Sequence, residues 1–363
     1  MDARTKKRFQ AALGRWFEIH KRPMPWRKTA DPYRIWVSET MLQQTQVETV
    51  IRYYDRFISR FPTVRDLAKA GSQEVMKLWE GLGYYSRARN LHAAAKLVVR
   101  RYGGKIPDSL EALLSLPGIG RYTAGAILSI AHGKSEPVLD GNIIRVLSRL
   151  FRCTENVRLP GTVNRLWRTA KFILPADGAR IHNEALMELG ATVCRPRQPG
   201  CQDCPVSGFC EAFRFSVQNE LPVKPPGKRI PHVDVTAGII WNQKKFLITL
   251  RPPKGLLGGL WEFPGGKLEP GETLQACLRR EIREELGIRV DVGRLLVSVK
   301  HAYTHFRITL HVFECAYSGG TLRPKGCDDT RWISAGQLDR YAFPGADRKV
   351  IQILKNRRTG GFS

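Results

Sequence analysis

The chain has 363 residues, enough for two domains with separate cores. Hydrophobic residues make up 42% and charged residues 25%, which excludes a disordered chain, and no apolar run reaches the length of a membrane span. The net charge of +26 is shared: residues 1–220 hold 35 Lys and Arg against 20 Asp and Glu, and the rest hold 24 against 13. An excess along the whole chain, and not in one tail, favours a polyanionic partner, with a mere solubility surplus as the bland alternative.

The N-terminus, Met1 to Arg8, has no apolar signal segment behind it, so a cytoplasmic protein is expected. Eight cysteines are too few for a secreted disulfide framework, but four of them lie within seventeen residues, which points to a metal. Apolar positions recur at helical spacing in residues 9–19, 36–58, 86–100, 109–115, 121–132 and 143–151, with Gly and Pro between them. An all-α domain is therefore predicted over 1–220. Residues 221–232 are Pro-rich and basic and read as an interdomain linker. The texture then changes to strands at 233–241, 245–251, 295–299 and 307–316, interrupted by a helix over 273–286. Residues 233–363 are predicted to form an α+β domain.

Three features of the first domain carry chemistry. Leu116, Pro117, Gly118, Ile119 and Gly120 form a tight turn that opens a helix, and such a turn offers backbone N–H groups to a phosphate. Asp140, some twenty residues on, follows that helix. Glu39 lies near the start of another helix, with Asp31 or Ser38 as its cap. Cleaving a glycosidic bond wants one carboxyl group to protonate the leaving group and one carboxylate to stabilise the sugar cation, and these two acids would serve. Cys194, Cys201, Cys204 and Cys210 are spaced C-x6-C-x2-C-x5-C, a tetrathiolate set for zinc or an iron–sulfur cluster.

The hairpin and Asp140 resemble the helix-hairpin-helix motif of the endonuclease III superfamily of DNA glycosylases. Ser38-Glu39, Met41 to Val47, Gly81 to Tyr85, Asp140-Gly141-Asn142, Asn183-Glu184 and the cysteine loop resemble, more narrowly, the MutY adenine glycosylases over about residues 5–220. The resemblance implies that Glu39 protonates adenine and later activates water, that Asp140 stabilises or transiently bonds the sugar, and that Tyr122, Asn142 and Glu184 shape the pocket with Arg27 nearby. It implies a [4Fe–4S] cluster on the four cysteines. It makes Gln44 and Tyr84 wedges that fill the emptied base stack, with Leu42 and Tyr85 assisting, and the hairpin residues Leu116, Gly118 and Gly120 a DNA clamp. Arg87, Arg89 and Arg121 are candidate phosphate contacts. Lyase members of the superfamily carry Lys where this chain has Tyr122, so a monofunctional enzyme is expected.

The second domain resembles MutT-like Nudix enzymes. Gly266, Glu272, Arg280-Glu281, Glu284-Glu285 and Gly287 fit the complete Nudix box. Glu281, Glu284 and Glu285 would crowd one helix face, and Mg²⁺ or Mn²⁺ would offset their repulsion. Tyr303, Thr304 and His305 resemble the Phe-Ser-His loop with which MutY proteins recognise 8-oxoguanine. Asp347 stands where MutT has the Asn that reads the oxidised base.

The expectation is a monomeric, nucleoid-associated bacterial protein. It removes adenine opposite 8-oxoguanine or guanine in double-stranded DNA and works in base excision repair. Three alternatives stand beside it. The Nudix domain would also hydrolyse 8-oxo-dGTP or another oxidised nucleoside triphosphate; the target base would be another, such as mispaired thymine; or the chain would be a non-enzymatic redox sensor on DNA.

Overall fold

The computed structural model describes residues 1–225, 230–303 and 305–359, with side chains to residue 356. The chain divides into two compact units. One contains residues 1–69 and 90–227, the other residues 70–89 and 228–363.

The first unit is helical. Helix α1 (Ala3–His20) buries Phe9, Leu13 and Phe17, one every four residues, and Asp2 caps it by accepting from the Thr5 N–H at 2.7 Å. The continuous helix predicted over 36–58 is instead two. Helix α2 (Pro32–Leu42) is capped by Asp31, which accepts from the N–H groups of Tyr33 and Arg34 at 2.8 and 3.1 Å. Ser38 lies inside that helix and donates to the Ile35 carbonyl. Helix α3 (Val47–Arg60) follows a break in which Gln44 adopts φ 57°, a left-handed conformation that costs a residue with a Cβ of order 1–3 kcal/mol. Helical periodicity continues across that break, so apolar spacing could not reveal it.

Helix α4 (Val64–Lys69) follows, then α5 (Ser72–Trp79), which belongs to the other unit; α6 (Ser86–Tyr102) contains the return to the first unit, and α7 (Leu110–Leu114) comes after it. The predicted helix over 121–132 is α8 (Arg121–Ala126) continued by a π-helical turn, Ile127–Ala131. Gly125 has no room for a side chain there, since a Cβ would come within 2.4 Å of the Pro137 carbonyl oxygen. Helices α9 (Gly141–Leu150), α10 (Pro160–Ile173), α11 (Ala179–Thr192) and α12 (Glu211–Arg214) complete the unit, with α11 packed on α1 and α9. The start of the expected linker is tied down: Leu221 is buried, and its carbonyl accepts from Arg149 at 3.0 Å.

The second unit is a six-stranded mixed sheet between helices. Its strands are β1 (His232–Asn242), β2 (Lys245–Leu250), β3 (Trp261–Glu262), β4 (Ile288–Ala302), β5 (Arg307–Gly320) and β6 (Asp329–Ile333). The order is β3-β2-β1-β5-β4, with β6 also on β2. Strands β1 and β5 are parallel, from His232 opposite Arg307 to Trp241 opposite Ala316. Alternation sorts the core. Ile239, Phe246, Ile248 and Val312 face α14 (Gly345–Thr359), whereas Ile240, Leu247, Phe313 and Cys315 face α13 (Leu274–Leu286). Strands β3 and β6 and helix α14 carried no clear signal in the sequence.

Candidate active site

The two acids singled out in the sequence line one cleft in the first unit, of about 840 Å³, within the usual range for ligand sites. Glu39 comes from the buried face of α2 and is only 4% exposed. Tyr122, at the start of α8, donates its hydroxyl to Glu39 Oε2 at 2.7 Å, and Met187 Sδ lies 3.3 Å from the same hydroxyl. Burial pushes the Glu39 carboxyl up to about 7; the Tyr122 hydrogen bond and Arg27 pull it down, while Asp140 and Glu184 raise it.

Asp140 is held differently. It caps α9, accepting from the Ile143 N–H at 2.8 Å and from the Asn142 side-chain amide at 3.1 Å. Burial raises its pKa, but these donors at a helix N-terminus favour the ionised form. The site thus contains a poorly solvated carboxyl with one donor and a second carboxylate with several. Asn142 is fixed in turn by Arg145, which donates to its Oδ1 at 2.9 Å and to the carbonyls of Gly190 and Cys194 at 2.6 and 2.7 Å.

Glu184 joins the cleft as expected, with Arg27 3.5 Å and Arg180 3.2 Å away. The sequence reading missed its neighbour one helical turn on. Glu188, its side chain 1% exposed, receives Arg22 at 2.6 Å and Arg27 at 2.8 Å. Burial would raise its pKa, but the two guanidinium groups hold it below the usual range. A buried acid at i+4 from Glu184 was the available signal, since a carboxylate in a helix core demands a cationic partner.

Leu42, Gln44 and Gly120 also line the cleft. Gln44 is exposed on its left-handed backbone. Gly118 turns the hairpin at φ 77°, and a Cβ there would lie 2.7 Å from that of Asn90. Leu116 is buried, so only its backbone is available to a ligand. Arg121 lies over the Trp167 ring at 4.2 Å.

The four cysteines surround one small cavity together with Arg149. Arg149 donates to Cys194 Sγ at 3.3 Å and to the Arg195 carbonyl at 2.7 Å, which fixes the loop. Burial pushes the Cys204 thiol up to about 12, as expected for a thiol with no cation beside it. Among the described residues, no three His, Cys, Asp or Glu side chains are grouped closely enough for a single metal ion.

In the second unit, Arg280 gathers the acids of the expected cation site. It lies 2.8 Å from Glu272, 3.1 Å from Glu281 and 3.2 Å from Glu284. Glu285 is apart from this group and is pushed up to about 7 by burial and by Glu262. Glu272, Glu281 and Glu284 are thus paired with Arg280, while Glu281 and Glu284 also repel the charge of Glu285. Their hard oxygens suit Mg²⁺, but the arrangement is not that of a formed site.

Tyr84 is half-buried at φ 47°, in a loop with Gly81 at 102° and Gly83 at 72°. Arg87 is not a free phosphate contact. It is 7% exposed, donates to the carbonyls of Leu82 and Gly83 at 3.2 and 3.1 Å, and stacks over Tyr84. Arg89 is likewise engaged, with the Gly258 carbonyl. Tyr303 stacks on Phe306 with centroids 4.6 Å apart and turns its hydroxyl inward, so only part of the ring remains for a base. His305 is exposed, and Thr304 lies outside the described residues.

Two families match this chain. The HhH-GPD superfamily of base excision DNA repair proteins matches residues 37–170, and the NUDIX domain matches residues 236–352. The adenine DNA glycosylase of Homo sapiens is 35% identical, covering 97% of this chain and 75% of that protein. The adenine DNA glycosylase of Buchnera aphidicola from Schizaphis graminum is 32% identical, covering 96% and 99%. Among solved structures, a thermostable thymine-DNA glycosylase is similar at 33% identity and a TM-score of 0.54, over 59% of this chain and 100% of that one. An endonuclease III–DNA covalent intermediate shares the fold at 21% identity and a TM-score of 0.52, over 60% and 99%. The convergence of Glu39 and Asp140 on one cleft and the near-full-length relatives agree: the chain belongs to the adenine DNA glycosylase family.

Proposed function

We propose that the chain is a monofunctional adenine DNA glycosylase acting in base excision repair on duplex DNA with adenine opposite 8-oxoguanine or guanine. The observation that carries this reading is the pairing of Glu39 with Asp140 in one cleft, each in the environment its task requires. With a pKa of about 7, Glu39 is a competent general acid near neutrality. It protonates the extruded adenine, whose leaving-group ability rises, and the C1′–N9 bond breaks. Asp140 stabilises the resulting sugar cation. Ionised Glu39 then takes a proton from the attacking water. Tyr122 orients Glu39 and supplies no amine, so no Schiff base to the sugar forms. Gln44 and Tyr84, both on left-handed backbone, are suited to occupy the vacated stack. The hairpin at Gly118 and Gly120 holds a phosphate, and the C-terminal domain reads the opposite base through Tyr303, Thr304 and His305. The protein acts as a monomer at the bacterial nucleoid.

We infer that Cys194, Cys201, Cys204 and Cys210 hold a [4Fe–4S] cluster, which braces the loop and performs no step of base release. Four thiols lining one cavity supply the ligand number that such a cluster needs.

The test is alkali-developed base release from duplexes carrying adenine opposite 8-oxoguanine, adenine opposite guanine, or thymine opposite guanine. Release of adenine that is lost in Glu39→Gln supports the reading. Preferential release of thymine, or DNA binding with no release at all, would sink it.

A second reading adds nucleotide hydrolysis by the Nudix domain. It is favoured by the complete box, whose Glu272, Glu281 and Glu284 are held by Arg280 and would have to turn toward a cation. Pyrophosphate release from 8-oxo-dGTP with Mg²⁺, lost in Glu284→Gln, would support it. No release from any oxidised triphosphate removes it.

A further inference from the structure

Residues 70–89 lie inside the stretch matched by the base excision repair family, yet they pack as one unit with the C-terminal domain. The packing is specific. The buried Trp261 indole donates to Gln73 Oε1 at 3.0 Å, and Gln73 Nε2 donates to the Gly259 carbonyl at 3.2 Å. Glu80, 13% exposed, accepts from the Phe343 N–H at 2.8 Å and pairs with Lys77 at 2.9 Å. Lys77 donates in turn to the Tyr341 carbonyl at 2.8 Å.

These contacts end at the Gly81–Tyr85 loop, where three of the five residues, Gly81, Gly83 and Tyr84, have positive φ. The loop is fastened from within its own segment: Trp79 Nε1 donates to the Gly83 carbonyl at 3.2 Å, and Gly81 N–H donates to the Tyr85 hydroxyl at 3.1 Å. Strained backbone persists only where its surroundings over-determine it. Here part of what determines it is supplied by residues more than 150 positions away in sequence.

We propose that residues 70–89 are a positioning segment through which the C-terminal domain sets the Gly81–Tyr85 loop, with Glu80 and Gln73 as the coupling residues. Neither is among the residues that line the cleft of Glu39. Their effect is on which opposite base supports adenine release, because the domain that holds the loop is the one proposed to read that base. The inference rests on the proposed function of both domains.

The test uses the full-length protein and single-turnover release from adenine:8-oxoguanine and adenine:guanine duplexes, with 2-aminopurine beside the target reporting local unstacking. Glu80→Ala and Gln73→Ala are expected to slow release opposite 8-oxoguanine by roughly tenfold, equivalent to about 1.4 kcal/mol. Release opposite guanine falls less, so the ratio drops, and the 2-aminopurine signal weakens. Glu80→Gln keeps an oxygen for the Phe343 N–H and restores both readouts. Thermal unfolding identifies a variant that has lost its fold, in which case the other decides. A wild type that releases adenine, with both folded variants matching it in ratio and fluorescence, overturns this inference and leaves the glycosylase reading intact. A wild type that releases no adenine overturns both.

Discussion

Replacing Glu39 by glutamine removes the proposed acid, and it should also make the protein more stable at neutral and alkaline pH. The reason is linkage. The Glu39 carboxyl ionises at about 7 in the folded chain against an ordinary 4.5, because burial opposes its charge. Between those two values the folded state binds the proton and the unfolded state does not, so stability falls as pH rises. The gap, at about 1.4 kcal/mol per pH unit, amounts to about 3 kcal/mol once pH exceeds 7, and it vanishes below about 4.5. Glutamine carries no charge to desolvate, and its amide oxygen still accepts from Tyr122. Urea unfolding of both proteins from pH 4.5 to 8.5 measures the difference, and single-turnover release measures activity, expected to drop by at least roughly a hundredfold. A stability gap that is constant with pH, or that widens toward acid, would refute the buried-acid argument whatever the activity shows. Wild-type release should itself decline above about pH 7, as Glu39 loses the proton it must donate.

Two further substitutions test the surroundings of that acid, and a third tests the cysteine loop. Tyr122→Phe removes the hydrogen bond that lowers the Glu39 pKa, so the alkaline limb of the rate profile should move to higher pH while the rate falls roughly tenfold; an unmoved limb contradicts the assignment. Glu188→Gln removes the nearer acid from Arg22 and Arg27, leaving Arg27 with Glu184 alone, and its less neutralised charge should shift the same limb to lower pH, read from rates between pH 6 and 9. Cys204→Ser should abolish the visible absorbance of an iron–sulfur cluster and weaken duplex binding in a salt titration, and a purified variant with undiminished absorbance and iron content would rule out its role as a ligand.

Much of this protein was legible in one dimension. Glu39, Asp140 and the four cysteines stood out because their chemistry is tied to short local spacings, and a Gly-rich turn or a cysteine loop needs no distant partner to be recognised. The β1 and β5 strands and the α13 helix followed from periodicity of 2 and 3.6 residues. The left-handed break at Gln44 could not be read this way, because a φ angle leaves no mark on a hydrophobic pattern when the residue is not glycine. Arg87 read as a candidate phosphate contact, whereas the carbonyls of Leu82 and Gly83 occupy it.

Local pattern, with the family resemblance it carried, therefore pointed to the reaction class and to the candidates for its principal groups. Tertiary packing decided their state and their allegiance: how far burial raises the Glu39 pKa, which arginines neutralise Glu188, and that residues 70–89 join the C-terminal unit. Desolvation and long-range pairing depend on what the rest of the chain brings within a few ångströms, and sequence neighbours do not encode that distance.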